Sequence, residues 1–98
     1  MLGYVVLYKY TQKGLADLKG DVERSRLRRE AAEKRGFRVI GIWYTMGQHD
    51  CVAVVEAPDD QAMAAGLLAG GAAQGYYTTQ TMRAFSEVEF AAIVSKLP

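Results

Sequence analysis

The run Gly75-Tyr-Tyr-Thr-Thr-Gln-Thr-Met-Arg-Ala-Phe85, leading without a break into Ser86-Glu-Val-Glu89, constrains this chain more than any other stretch. From Tyr77 the odd positions Tyr77, Thr79, Thr81, Arg83 and Phe85 share one side of an extended segment, and Met82 and Ala84 share the other, because side chains alternate along a strand. Ser86 and Glu89 stand at capping-box spacing, and Phe85 and Phe90 at the N′ and N4 positions of a hydrophobic staple. A strand that turns at once into a helix belongs inside a sheet covered on one side.

The remaining segments fit such a sheet. Tyr4-Val-Val-Leu-Tyr-Lys-Tyr10 is rich in β-branched and aromatic residues, which suit a pleated, buried strand. Thr11 is a plausible N-cap for a short helical turn carrying Leu15 and Leu18; Gly20-Asp21 interrupts it, and Asp21 is placed to cap a second helix that stops at Gly36. Phe37 to Thr45 reads as a strand with Gly41 at a bulge or close approach. Met46-Gly-Gln-His49 is a hairpin turn, and Asp50 to Glu56 returns antiparallel. Pro58 suits a first helical position, with Asp59 and Asp60 at the positive end of the helix dipole; that ordinary explanation is preferred to a metal site. Strands are expected at about 3–10, 37–45, 50–57 and 76–85, and helices at about 21–35, 59–72 and 87–97. In the last helix Phe90, Ile93, Val94 and Leu97 fall on one face.

The order β-α-β-β-α-β plus a C-terminal helix is the split βαβ pattern: an α+β, ferredoxin-like sandwich, one domain over residues 1–98. Right-handed crossovers place both main helices on one face of a four-stranded antiparallel sheet in the spatial order 4-1-3-2. The other face, bearing Val, Trp or Tyr, Phe and Arg, then needs a partner, and a second copy of the chain is the simplest cover.

Charge narrows the partners. A formal charge of +1 gives no field to draw in DNA, RNA or an anionic membrane. The helix after Asp21 carries Arg24, Arg26, Arg28, Arg29, Lys34 and Arg35, but Glu23, Glu30 and Glu33 interleave, and Arg26–Glu30, Arg29–Glu33 and Glu30–Lys34 are i,i+4 pairs of a solvated face. The lone Cys51 lies in an apolar run and reads as a small buried hydrophobe. With no run of about 20 apolar residues and no leader pattern, a soluble cytoplasmic protein is expected.

At this level of detail the chain resembles the GYD-domain family of the dimeric α/β-barrel superfamily. The likeness rests on Lys9-Tyr10-Thr11 with Gly14, on Arg24, on Thr45, Gly47 and Asp50 at the hairpin, and on Glu56-Ala-Pro-Asp-Asp60. It continues through Gly75, Thr79, Thr81, Arg83-Ala-Phe85 and Glu89-Phe90. The family's Gly-Tyr-Asp-like signature reads Gly47-Gln-His-Asp50 here, with His49 where a tyrosine is usual. The resemblance implies a dimeric α/β barrel and leaves activity open, because function does not follow from fold.

Candidate chemistry is sparse. His49 is the single histidine and precedes Asp50; an imidazole can act as a general base, against the alternative of an exposed turn histidine with Asp50 bonding hairpin amides. Arg83, flanked by Thr79 and Thr81, can hold a carboxylate or phenolate, or else bridge to Glu56 or Asp50. Tyr8, Tyr10, Trp43 and Tyr44 can line an aromatic pocket or serve as core or interface. Nucleophile motifs, phosphate loops and zinc spacings are absent, so neither cofactor nor metal is expected. The leading reading is a homodimer, with larger assemblies open, that binds a small organic molecule at or near the sheet face and can support cofactor-independent acid/base chemistry. In it His49 and Asp50 are the catalytic candidates, and Arg83, Thr81, Tyr8 and Trp43 the ligand-binding ones. A non-catalytic assembly or regulatory module is the alternative, and an RNA-binding sheet the weakest reading.

Overall fold

The computed structural model describes residues 1–70 and 73–98 with their side chains and residues 71–72 as backbone. Its elements are β1 (Leu2–Tyr10), α1 (Gln12–Ala16), a 3₁₀ turn (Leu18–Gly20), α2 (Asp21–Lys34), β2 (Arg38–Tyr44) and β3 (Cys51–Ala57). There follow α3 (Asp60–Leu67), a π-helical turn (Leu68–Ala72), β4 (Tyr77–Ala84) and α4 (Glu87–Val94). The sheet order is β2-β3-β1-β4 and every pairing is antiparallel, as the crossover argument requires. The fold is α+β and ferredoxin-like; in the single chain the sheet is open, not a closed barrel.

The core lies under the helices. Tyr4, Val6 and Tyr8 of β1, Cys51, Ala53 and Val55 of β3, and Met63 of α3 are buried together. Alternation therefore sends Val5 and Leu7 to the opposite face, beside Val52, Val54 and Met82, which their registers place opposite or adjacent. Trp43, paired with Val52, lies on that open face as well and stays 52 % exposed. The bulge expected at Gly41 is present between Val39 and Gly41, and a Cβ at Gly41 would sit 2.4 Å from the Trp43 ring. That packing of ring on backbone is the close approach for which the glycine is needed.

Several expectations are corrected. Asp21 does not cap α2: Gly20 occupies that position, while Asp21 is the first helical residue and is buried. Asp59, not Pro58, opens α3, its carboxylate accepting from the Ala62 amide at 2.8 Å. Arg83 is not on the bare face. It pairs in register with Tyr4, whose ring is buried beneath α3, so both project to the helix side. Of the three expected ion pairs along α2 only Arg26–Glu30 forms among the described residues.

The last helix departs most from a packed element. The capping box is complete, with Ser86 Oγ accepting from the Glu89 amide at 3.1 Å and Glu89 accepting from the Ser86 amide at 2.9 Å. Yet every residue from 85 to 98 is exposed, including Val88, Phe90, Ile93 and Val94. The radius of gyration, 14.7 Å, exceeds the ~13 Å of a compact chain this long, and the longest extent is 52 Å.

Candidate functional site

One tyrosine of β1, Tyr10, and one of β4, Tyr77, meet α2 at a single carboxylate, and Tyr8 of β1 packs beside them. Tyr8 and Tyr10 stand two residues apart and so share the helix side, where Tyr10 is paired with Tyr77. Asp21, 3 % exposed, accepts from Tyr10 Oη at 2.7 Å, Tyr77 Oη at 2.9 Å and Arg24 Nε at 3.3 Å. Arg24 also bonds the Asp17 carboxylate and carbonyl and stacks 4.0 Å from the Tyr76 ring. Arg28, one turn on, donates to Tyr77 Oη and lies 4.8 Å over the Tyr8 ring. A buried charge survives only when paired, and here three donors surround one carboxylate. Burial raises the pKa of Tyr10, and the bond to Asp21 adds to it, so the phenol stays protonated.

Beside this cluster the helices part. A cavity of about 250 Å³ lies between the sheet, α2 and α3. Most of its wall is apolar: Val6, Val39, Ile42, Ala53, Val55 and Met63. One end is polar, where Tyr8 and Thr79 are neighbours across the β1–β4 pairing and Arg28 lies above. Phe37 and Leu67 line it too, and Gly66 lets the Phe37 ring approach α3, since a Cβ there would be 2.9 Å from it. Arg29 of α2 and Arg35, its C-cap, also line the space, and among the described residues no acidic side chain does so. Tyr8 is 8 % exposed, its hydroxyl has no protein acceptor among the described residues, and burial raises its pKa against the lowering effect of Arg28.

The sequence candidates scatter about this site. Of them only Tyr8 lines the cavity. Trp43 is on the other face of the sheet, so the four aromatics do not enclose one pocket. Asp50 accepts from the Tyr10 amide at 2.9 Å and its own amide donates to Tyr8 O at 2.8 Å, extending the ladder at the end of β1. His49 is bonded through its carbonyl, which accepts from Thr45 Oγ1 at 2.7 Å; no bond joins its imidazole to Asp50 among the described residues. Arg83 donates to the carbonyls of Gly3 and Ala84, stacks 4.6 Å over Phe85 and reaches Glu89 at 4.0 Å, so it braces the entry to α4. Glu56 pairs with Arg38 instead. Thr81 Oγ1 is buried and unpartnered among the described residues. The Cys51 thiol is buried beside this group, and burial pushes its pKa up, away from the thiolate.

Asp21 and Arg28 supply polar groups of the candidate site without having been singled out as ligands, and Thr79 was read only as a flank of Arg83. Asp21, Arg24 and Arg28 recur at i, i+3 and i+7, one stripe of a helix, and that spacing facing three tyrosines was the available signal.

Fold and site together define an α+β protein whose ferredoxin-like sheet carries an apolar cavity on its helix side. The chain belongs to the GYD-domain family, whose model matches residues 4–94. Among solved structures it is similar to TTHA0845 from Thermus thermophilus, at 22% identity over 88% of this chain and 95% of that one, with a TM-score of 0.57. It is also similar to MtbAldR, at 13% identity over 88% of this chain, with a TM-score of 0.68. This chain covers 54% of MtbAldR, about half of its length, and at these identities both likenesses speak to fold alone. No curated protein matches the chain.

Proposed function

We propose that the protein is a homodimer that binds a small organic molecule in the cavity between the sheet, α2 and α3. The observation that carries this reading is the cavity itself: about 250 Å³ of apolar space with a few convergent polar groups at one end. Close-packed interiors hold few voids larger than a water molecule, and a cavity of ~150 Å³ is enough for benzene. Neither His49 nor Asp50 lines the space, so the reading is one of binding rather than acid/base catalysis.

The test is calorimetric titration with 2-naphthol, a neutral bicyclic probe, against the wild type and Ala53→Leu. Ala53 is buried in the cavity floor, and the added carbons take up the space. Saturable one-to-one binding that disappears in the filled variant is expected; equal binding by both proteins would place the ligand elsewhere.

The open sheet face supports a second reading, a non-catalytic dimerisation or assembly module. Val5, Leu7, Val52 and Val54 are only half covered there, and the exposed apolar residues of α4 add to the same need for a partner. An empty titration with an intact dimer would favour that reading.

A further inference from the structure

Resting on the binding reading above, we propose that the cavity's ligand is an amphipathic monoanion: a carboxylate held at Tyr8, Thr79 and Arg28, with an apolar body reaching toward Phe37 and Val55. Three observations converge. First, among the described residues the lining includes Arg28 and Arg29 of α2, its C-cap Arg35, and no Asp or Glu, although Glu30 and Glu33 lie on the same helix. Among the described residues Arg29 and Arg35 have no carboxylate within ion-pairing distance; Glu30 is taken by Arg26. Positive charge is thus left uncompensated around an apolar space, and a guanidinium beside low-dielectric walls attracts an anion more strongly than one in water does.

Second, the polar end is built of donors. The Tyr8 hydroxyl is protonated and, at the end of a largely buried side chain, has no protein acceptor among the described residues. Thr79 Oγ1 belongs to the neighbouring residue across the strand pair. Arg28 commits one nitrogen to Tyr77 Oη, and the guanidinium has five N–H groups, so donors remain for a carboxylate. A neutral alcohol oxygen accepts at most two such bonds without help from charge; a carboxylate accepts up to about four, each strengthened by charge.

Third, the cavity is polarised along its length. Tyr8 and Val55 lie on the helix side four strand positions apart, since Val55 is opposite Tyr4, which sets a span of ~13 Å. Phe37, Val39 and Val55 occupy the end remote from Tyr8. One anionic group and one apolar body of bicyclic size match that division.

The experiment compares 2-naphthoate with 2-naphthol at pH 7 by titration calorimetry on the intact protein, then repeats both with Tyr8→Phe and Arg28→Met. Naphthoate should bind at least ~10-fold more tightly than naphthol in the wild type, the ratio one good charge-assisted bond produces. Tyr8→Phe, which keeps the ring, should cut naphthoate affinity several-fold and leave naphthol unchanged, and Arg28→Met should abolish the preference. If Arg28→Met fails to fold, judged by circular dichroism, Tyr8→Phe and the salt dependence of naphthoate binding decide: affinity that does not fall between 0.05 and 0.5 M NaCl overturns the proposal (about a threefold change in screening length). Equal or tighter naphthol binding in the wild type overturns the anionic head and leaves the binding reading standing. No binding of either probe overturns both.

Discussion

Asp21 shows how a single residue can hold two layers together. Its carboxylate is the shared acceptor of a phenol from β1, a phenol from β4 and a guanidinium from its own helix. Replacing it with alanine leaves those donors buried and unpaired, and about 3 kcal/mol of stability should be lost, with Asp21→Asn costing roughly half as much because one acceptor oxygen remains. Urea titrations of both variants check this; a loss under about 0.5 kcal/mol for alanine would mean that water replaces the carboxylate. Arg83 teaches the converse. Its guanidinium satisfies itself on two backbone carbonyls and the Phe85 ring, so a lone cation on a strand was a sign of local bracing rather than of a ligand.

At the level of elements, α4 is a completed helix with an unfinished environment. Its capping box gives it a defined start, while Phe90, Ile93 and Val94 are left to solvent. Such a helix gains its stability from packing on something else, since short helices are marginal alone. Phe85→Asp should therefore dissociate the proposed dimer, with light scattering showing the monomer mass, and the wild-type contact should bury more than ~1,000 Å² in total. A wild type that is monomeric at micromolar concentration would remove the dimer. The strand order, the bulge at Gly41 and the capping box were legible beforehand because each has a local signature: alternation, a glycine inside a β-rich run, a Ser and a Glu three apart. The inward face of α2 was not, because it carries the buried Asp21 and the half-buried Arg24 and Arg28, and apolar periodicity is blind to a helix that docks by charge. Which side of β4 met the helices was equally hidden, since hydroxyls and a cation alternate there with Met82 and Ala84 and neither set is plainly core.

For the whole molecule the buried phenols set an alkaline limit. Burial raises Tyr4 to about 12, aided by its bond to Asp60, and raises Tyr10 as well, aided by Asp21, from an ordinary value near 10. The folded protein keeps protons that the unfolded chain releases, so this part of the stability is whole below pH ~10 and is lost progressively as pH climbs toward 12 and beyond. Urea midpoints measured at pH 9, 10.5 and 11.5 should fall in that order, and less steeply in Tyr10→Phe. A flat profile would show the phenols ionising as they do in water.

The attachment of α2 has one more consequence. It meets the sheet through guanidinium–ring stacking and a shared carboxylate, while its Val22 and Leu27 already face solvent. Detaching it would uncover the Tyr8 and Tyr77 rings but little side-chain hydrocarbon of its own, so that event should have a smaller denaturant slope and heat-capacity change than global unfolding. Amide exchange followed in rising, sub-denaturing urea should split accordingly: α2 hydrogens leaving at a nearly constant rate, β1 and β3 hydrogens accelerating with global unfolding. The cavity's roof would then be a separate cooperative unit, one whose release admits a ligand without melting the sheet beneath it.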